Sequence, residues 1–133
     1  EASALAQKLY QQDPSNEENC MYYVKVLAAS GDTATAATMI NRFLENANPK
    51  MKSFLLYERS FLQPTEDLQL ADLRSSLTSN PRNRDSLYRL YQIYYRKSDW
   101  RRAQYYLKQV VALEPNNGDL MRRNGELDKL LGR

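Results

Sequence analysis

The side chains that carry most enzyme chemistry are scarce in this chain. Among its 133 residues there is no histidine, so the usual general base and the commonest metal ligand are both missing. The one cysteine, Cys20, falls in helical step with Tyr23 and Leu27 on an apolar stripe and reads as a small packing residue rather than a nucleophile. Adjacent carboxylates at Glu17–Glu18 and Glu66–Asp67 stand where helices are expected to begin. Negative charge there favours the helix dipole, and this is a better use for them than acid–base work. The four glycines, at 31, 118, 125 and 132, are too scattered to form a phosphate-cradling loop. No catalytic residue, metal site or cofactor is expected, and the chain is read as a binding protein rather than an enzyme.

Two surfaces could bind. Phe54, Glu58 and Phe61 share one helical face by i, i+4, i+7 spacing, as do Tyr88, Gln92 and Tyr95. Neither trio lies on the apolar stripe of its own segment, and aromatic residues left outside a core are common interface anchors. The second surface is basic. Arg101, Tyr105 and Lys108 follow one another at four- and three-residue spacing beside Arg102, opposite Ala103, Leu107 and Val110. Such a strip could contact phosphates while its tyrosine stacks on a base. Residues 82–108 carry eight Lys or Arg against Asp85 and Asp99, whereas residues 1–81 carry seven against ten Asp or Glu. The net charge is only +3 and the pI about 9.0, and nucleic-acid domains usually show more than one such cluster. A solvated outer face is the preferred reading of this strip, and nucleic acid is the less favoured partner.

These side chains must be positioned by regular elements, and the punctuation of the chain shows what kind. Prolines 14, 49, 81 and 115 each sit in a short polar cluster, at intervals of 35, 32 and 34 residues. Proline cannot donate a helical hydrogen bond, and Asn or Ser beside it can cap the helix that follows. Between the prolines, "SGD" at 30–32, "QPTED" at 63–67 and "KSD" at 97–99 divide each unit again. Asp32, Thr65 and Asp99 are placed to cap there. Apolar residues recur at helical spacing in Leu87, Leu90, Tyr91 and Tyr94, in Ala103, Leu107, Val110 and Val111, and likewise in Cys20, Tyr23, Val24 and Leu27. Eight helices are predicted, near 1–13, 17–30, 33–46, 49–63, 66–79, 84–97, 100–114 and 118–131. No apolar run approaches the roughly 18 residues of a membrane span. A single cysteine leaves the redox compartment open, and localisation is not indicated.

The repeating unit resembles the tetratricopeptide repeat, whose helix–turn–helix follows W-x₂-L-G-x₂-Y…A-x₃-F…P over 34 residues. Residues 84–117 place Leu87, Leu90, Tyr91, Tyr94, Ala103, Leu107 and Pro115 at those spacings. Residues 17–49 place Cys20, Tyr23, Val24, Leu27, Ala36 and Ile40, one residue short at the end. Residues 50–83 diverge: Leu56, Tyr57, Leu73 and Pro81 match, but Pro64 stands at the turn glycine and Gln69 at the small alanine. The resemblance implies an all-α fold, a right-handed α-solenoid of antiparallel helix pairs in a single domain. Residues 1–16 would be the second helix of an incomplete repeat, followed by three repeats and a polar capping helix at 118–133. Further chain is expected before Glu1, and Leu5 and Leu9 on the incomplete repeat could support self-association. Val24, Tyr57 and Tyr91 replace the family's glycine and should widen the helix spacing.

Function follows from the same resemblance. First helices of successive repeats line a concave groove that takes an extended peptide or a partner's helix. The matching places hold Met21 and Lys25 in the first repeat, Phe54, Glu58 and Phe61 in the second, and Tyr88, Gln92, Tyr95 and Arg96 in the third. Members that bind chaperone tails grip a terminal carboxylate with Lys and Asn. Met21 and Lys25 occupy those places here, so that clamp is not reproduced. A protein or peptide partner is expected, with the chain acting as a scaffold or recruitment module.

Overall fold

The computed structural model describes residues 2–133. Its regular structure is entirely helical, with eight helices and no strand among the described residues: α1 (Ala2–Gln12), α2 (Glu17–Ala29), α3 (Thr33–Leu44), α4 (Pro49–Ser60), α5 (Glu66–Ser79), α6 (Arg84–Arg96), α7 (Trp100–Leu113) and α8 (Gly118–Leu130). Glu1, included in the first predicted helix, lies outside the described residues. None of the described helices is long and apolar enough to cross a membrane.

Side-chain caps fix where the helices start. Asn16, Asn48, Asn83 and Asn117 each accept a hydrogen bond from the backbone amide three residues on, at the heads of α2, α4, α6 and α8. Asp32, Thr65 and Asp99 do the same for α3, α5 and α7. Each satisfies an amide that the first helical turn leaves without a partner, which stabilises a helix by about 1 kcal/mol. The proline of the second cluster plays a different part from the others. Pro49 follows its cap and occupies the first turn of α4, where its missing N–H costs nothing.

The chain divides into two compact units, Glu1–Asn80 and Pro81–Arg133. In the first, α1 packs on α2, α2 on α3 and α4, α3 on α4, and α4 on α5. One cluster gathers Ala6, Tyr23, Leu27, Ala36 and Met39, and another gathers Cys20, Val24, Ile40, Met51 and Leu55. In the second unit α7 packs on both α6 and α8. Leu87, Leu90, Tyr91, Ile93, Tyr94, Ala103, Leu107, Val110, Leu120 and Leu127 are buried there.

The α4–α5 pair departs from the spacing expected of it. Ser53 and Ser76 are fully buried and face each other. Each hydroxyl donates to the other residue's backbone carbonyl, at 2.7 Å in both directions. Such reciprocal bonds require a close approach of the two backbones, whereas the tyrosine expected to hold them apart, Tyr57, is only half-buried. Farther along, Arg59 of α4 meets Asp72 of α5, so advancing on one helix means retreating on the other. The pair is antiparallel. Helix α4 also stops before the predicted residue 63. The Gln63 side chain donates to Asp72 and its carbonyl accepts from Gln69, tertiary bonds that hold the segment before Pro64 out of the helix.

Candidate functional site

In the first unit, packing of α2 on α4 brings together Met21, Lys25 and Phe54. Met21 and Phe54 are half-buried against the core below them. Lys25 is exposed, with its ammonium 5.7 Å from the centre of the Phe54 ring, within the range of a cation–π contact. Glu58 is half-buried one turn along α4. Phe61 falls at the C-cap of that helix rather than within it. It is 47 % exposed, and its ring meets Tyr57 edge-on with centres 5.2 Å apart.

In the second unit the predicted positions are on α6. Tyr88 is half-buried beneath the Arg84 guanidinium, 4.7 Å from its ring centre. Gln92, Tyr95 and Arg96 are exposed. The rings of Tyr88, Tyr91, Tyr95 and Trp100 form a continuous chain with successive centres 5.4, 5.7 and 5.2 Å apart.

Gln92, Tyr95 and Arg96 also line an open cleft of about 450 Å³ together with Arg89, Tyr91, Arg122, Arg123 and Glu126. Helix α8 therefore contributes three charged side chains to a surface that the sequence assigned to α6 alone. On α8, Asp119 accepts from both Arg122 and Arg123, the second at 2.9 Å, and Arg122 also reaches Glu126 at 3.1 Å. Hydrogen bonds from Arg123 and Arg122 hold the Asp119 carboxyl below the ordinary range. The neighbouring Tyr91 hydroxyl, with Asp119, pushes the Arg123 guanidinium pKa further up. Burial pushes the Tyr91 phenol up, partly opposed by Arg123.

The basic strip stands on α7 as expected, with Arg101, Arg102, Tyr105 and Lys108 all exposed and Tyr105 at 64 %. One of its three cations is already engaged. Arg102 pairs with the capping Asp99 at 2.8 Å and lies over the Tyr94 ring. Its backbone and side-chain hydrogen bonds hold the Asp99 carboxyl low. Tyr105 sets its ring at right angles to Tyr106, with centres 5.1 Å apart.

Cys20 is buried and its thiol lies 3.3 Å from the Pro14 carbonyl. Burial above all, then Asp13 and Glu17, pushes the thiol pKa up, away from the thiolate a nucleophile needs. Among the described residues no three of Cys, Asp and Glu gather closely enough to hold a metal ion.

Sequence reasoning missed Arg89, Arg122, Arg123 and Glu126 as parts of one surface. A signal for Arg89 was present, because it shares a helical face with Gln92 and Arg96. For α8 there was none, since alternating acids and bases on a terminal helix read equally well as a solvated cap. Compared with known proteins, the chain matches no protein-family model and no curated protein.

Proposed function

We propose that this chain is a protein-interaction module of the tetratricopeptide kind, built as a right-handed α-solenoid, and that it holds a peptide or a partner's helix through aromatic-bearing faces, that of α2 and α4 in the first unit and that of α6 in the second. It acts as a scaffold or recruiting surface and performs no catalysis. One observation carries the reading. Aromatic side chains that fall off the packing stripes stay in reach of solvent, with Phe61 47 % and Tyr95 39 % exposed, while the stripes themselves are buried. Rigid rings presented on helices supply contact area with little entropy to lose, which suits them to anchor a partner. The seven capped helix starts, alternating between proline clusters and mid-unit turns, support the helix-pair period.

The basic strip of α7 supports an anionic partner less well, because Arg102 is spent on Asp99 and Tyr94. Self-association through α1 has Leu5 to offer, 52 % exposed.

The test is partner capture from source extract by the double variant Phe54→Ala/Tyr88→Ala. Capture should fall at least tenfold, roughly the effect of losing one good anchor, with an unchanged circular dichroism spectrum. Because both rings are half-buried, the exposed pair Phe61→Ala/Tyr95→Ala serves as the companion variant. Undiminished capture by both variants would remove the aromatic surface from consideration.

A further inference from the structure

The cleft between α6 and α8 has a chemistry of its own. Four guanidinium groups line it, from Arg89, Arg96, Arg122 and Arg123, against the carboxylate of Glu126. Asp119, bonded to Arg122 and Arg123, adds a second negative charge nearby. Arg96 is exposed and makes no ion pair among the described residues. Arginine's planar fork offers paired N–H donors to carboxylate or phosphoryl oxygens, and its charge is not lost at any ordinary pH.

We propose that this cleft binds an anionic side chain, carboxylate or phosphoryl, within an acidic peptide segment. Arg96 and Arg122 make the contact, and Tyr95 forms the apolar wall. The proposal rests on the protein-interaction reading above and gives that surface its ligand class. Glu126 occupies part of the site in the free protein through its pair with Arg122, and an incoming anion displaces it.

A peptide fits better than a nucleic acid for two reasons. Single strands need open ring faces on which bases stack, and here the rings are turned against one another from Tyr88 through Tyr91 and Tyr95 to Trp100. Strands also need positive charge that tracks several phosphates, whereas these arginines are gathered around one opening.

The experiment is fluorescence anisotropy on the 133-residue chain with four labelled probes of similar length. Three are amidated peptides on one scaffold, carrying either a glutamate run, a phosphoserine in its place, or glutamines throughout. The fourth is oligothymidine. The glutamate or phosphoserine peptide should bind, the tighter of the two identifying the anion, and the glutamine peptide should not. Arg96→Ala with Arg122→Ala should weaken binding about tenfold or more, the loss of charge-assisted bonds, without lowering the thermal midpoint. Glu126→Gln should strengthen it by removing the internal competitor. Equal binding of glutamine and acidic peptides, or an unchanged affinity in the double arginine variant, would overturn the proposal. So would oligothymidine binding tighter than either acidic peptide and losing affinity in the same variant. If acidic peptides bind through Arg96 while the ring variants still capture their partner, the aromatic reading fails and the cleft stands. The reverse pattern removes the cleft alone.

Discussion

Asp72 keeps only 5 % of its surface exposed, yet its carboxylate accepts three hydrogen bonds. Two come from the Arg59 guanidinium at 2.8 and 3.1 Å, and one from the Gln63 amide at 2.8 Å. A buried charge is tolerable only when its oxygens are paired in this way. One repeat length on, the equivalent residue is Tyr106, which stacks on Tyr94 with ring centres 5.9 Å apart. The α4–α5 pair thus carries an ion pair close to where the α6–α7 pair carries a ring contact, with Arg59 at the register of Ile93, one position short of Tyr94. Sequence alone did not show this, because an aspartate between leucines reads as a charge turned to solvent. Its partner lies 13 residues earlier, on a facing helix. Asp72→Ala would leave the donors of Arg59 and Gln63 without their acceptor. Arg59 can recover some hydration, so the expected destabilisation is about 2 kcal/mol, with Asp72→Asn milder because its amide oxygen can still accept. Urea unfolding of the three proteins measures both, and an alanine variant within about 0.5 kcal/mol of the parent, the scatter of ordinary surface changes, would show that the network contributes no stability.

Helix starts were legible because a cap is a local device. Asn or Asp accepting from the amide three residues on requires only the chain itself, and prolines with polar neighbours mark where it operates. Helix ends and helix spacing were less legible, since both depend on what faces what. The Ser53–Ser76 contact illustrates the difference. Ser53 stands at the register of Leu87 and Ser76 at that of Val110, so two large buried positions of α6 and α7 correspond to small hydrogen-bonded ones in α4 and α5. Two serines in a sequence reveal neither their burial nor their partnership. Two helices held by mutual hydroxyl-to-carbonyl bonds have no room for a larger side chain. Ser76→Leu would both lose those bonds and force α4 and α5 apart, an expected cost of roughly 3 kcal/mol. Ser76→Ala, which loses the bond but keeps the volume, should cost about 1 kcal/mol. Thermal midpoints of the two variants separate the causes. Equal losses would mean that hydrogen bonding, not close approach, sets the geometry here.

At the scale of the whole chain, the period of the proline clusters runs without a break, but the compact units do not follow it. A division falls between Asn80 and Pro81, inside one proline cluster, while the other clusters mark none. Periodicity comes from similar local segments, whereas compactness comes from how many tertiary contacts each segment makes, and only the first is written in spacing. The same distinction explains α8. Its charges and terminal position made it a cap in the sequence, yet it buries Leu120 and Leu127 and turns Arg122, Arg123 and Glu126 toward the cleft. Segments that share most of their contacts tend to open together, so a cavity made in the second unit should loosen that unit first. Leu127→Ala removes a fully buried side chain from α8 and should cost roughly 3 kcal/mol locally. In native-state hydrogen exchange, amides of α6, α7 and α8 should then exchange on the order of a hundredfold faster, as a loss of that size implies. The slowest amides of α2 and α4 should keep their parent rates. Acceleration of the same size across all eight helices would show that the chain opens as a single cooperative body. A ligand in the cleft would in that case stabilise α2 and α4 as much as α6, whereas separate opening confines its effect to residues 81–133.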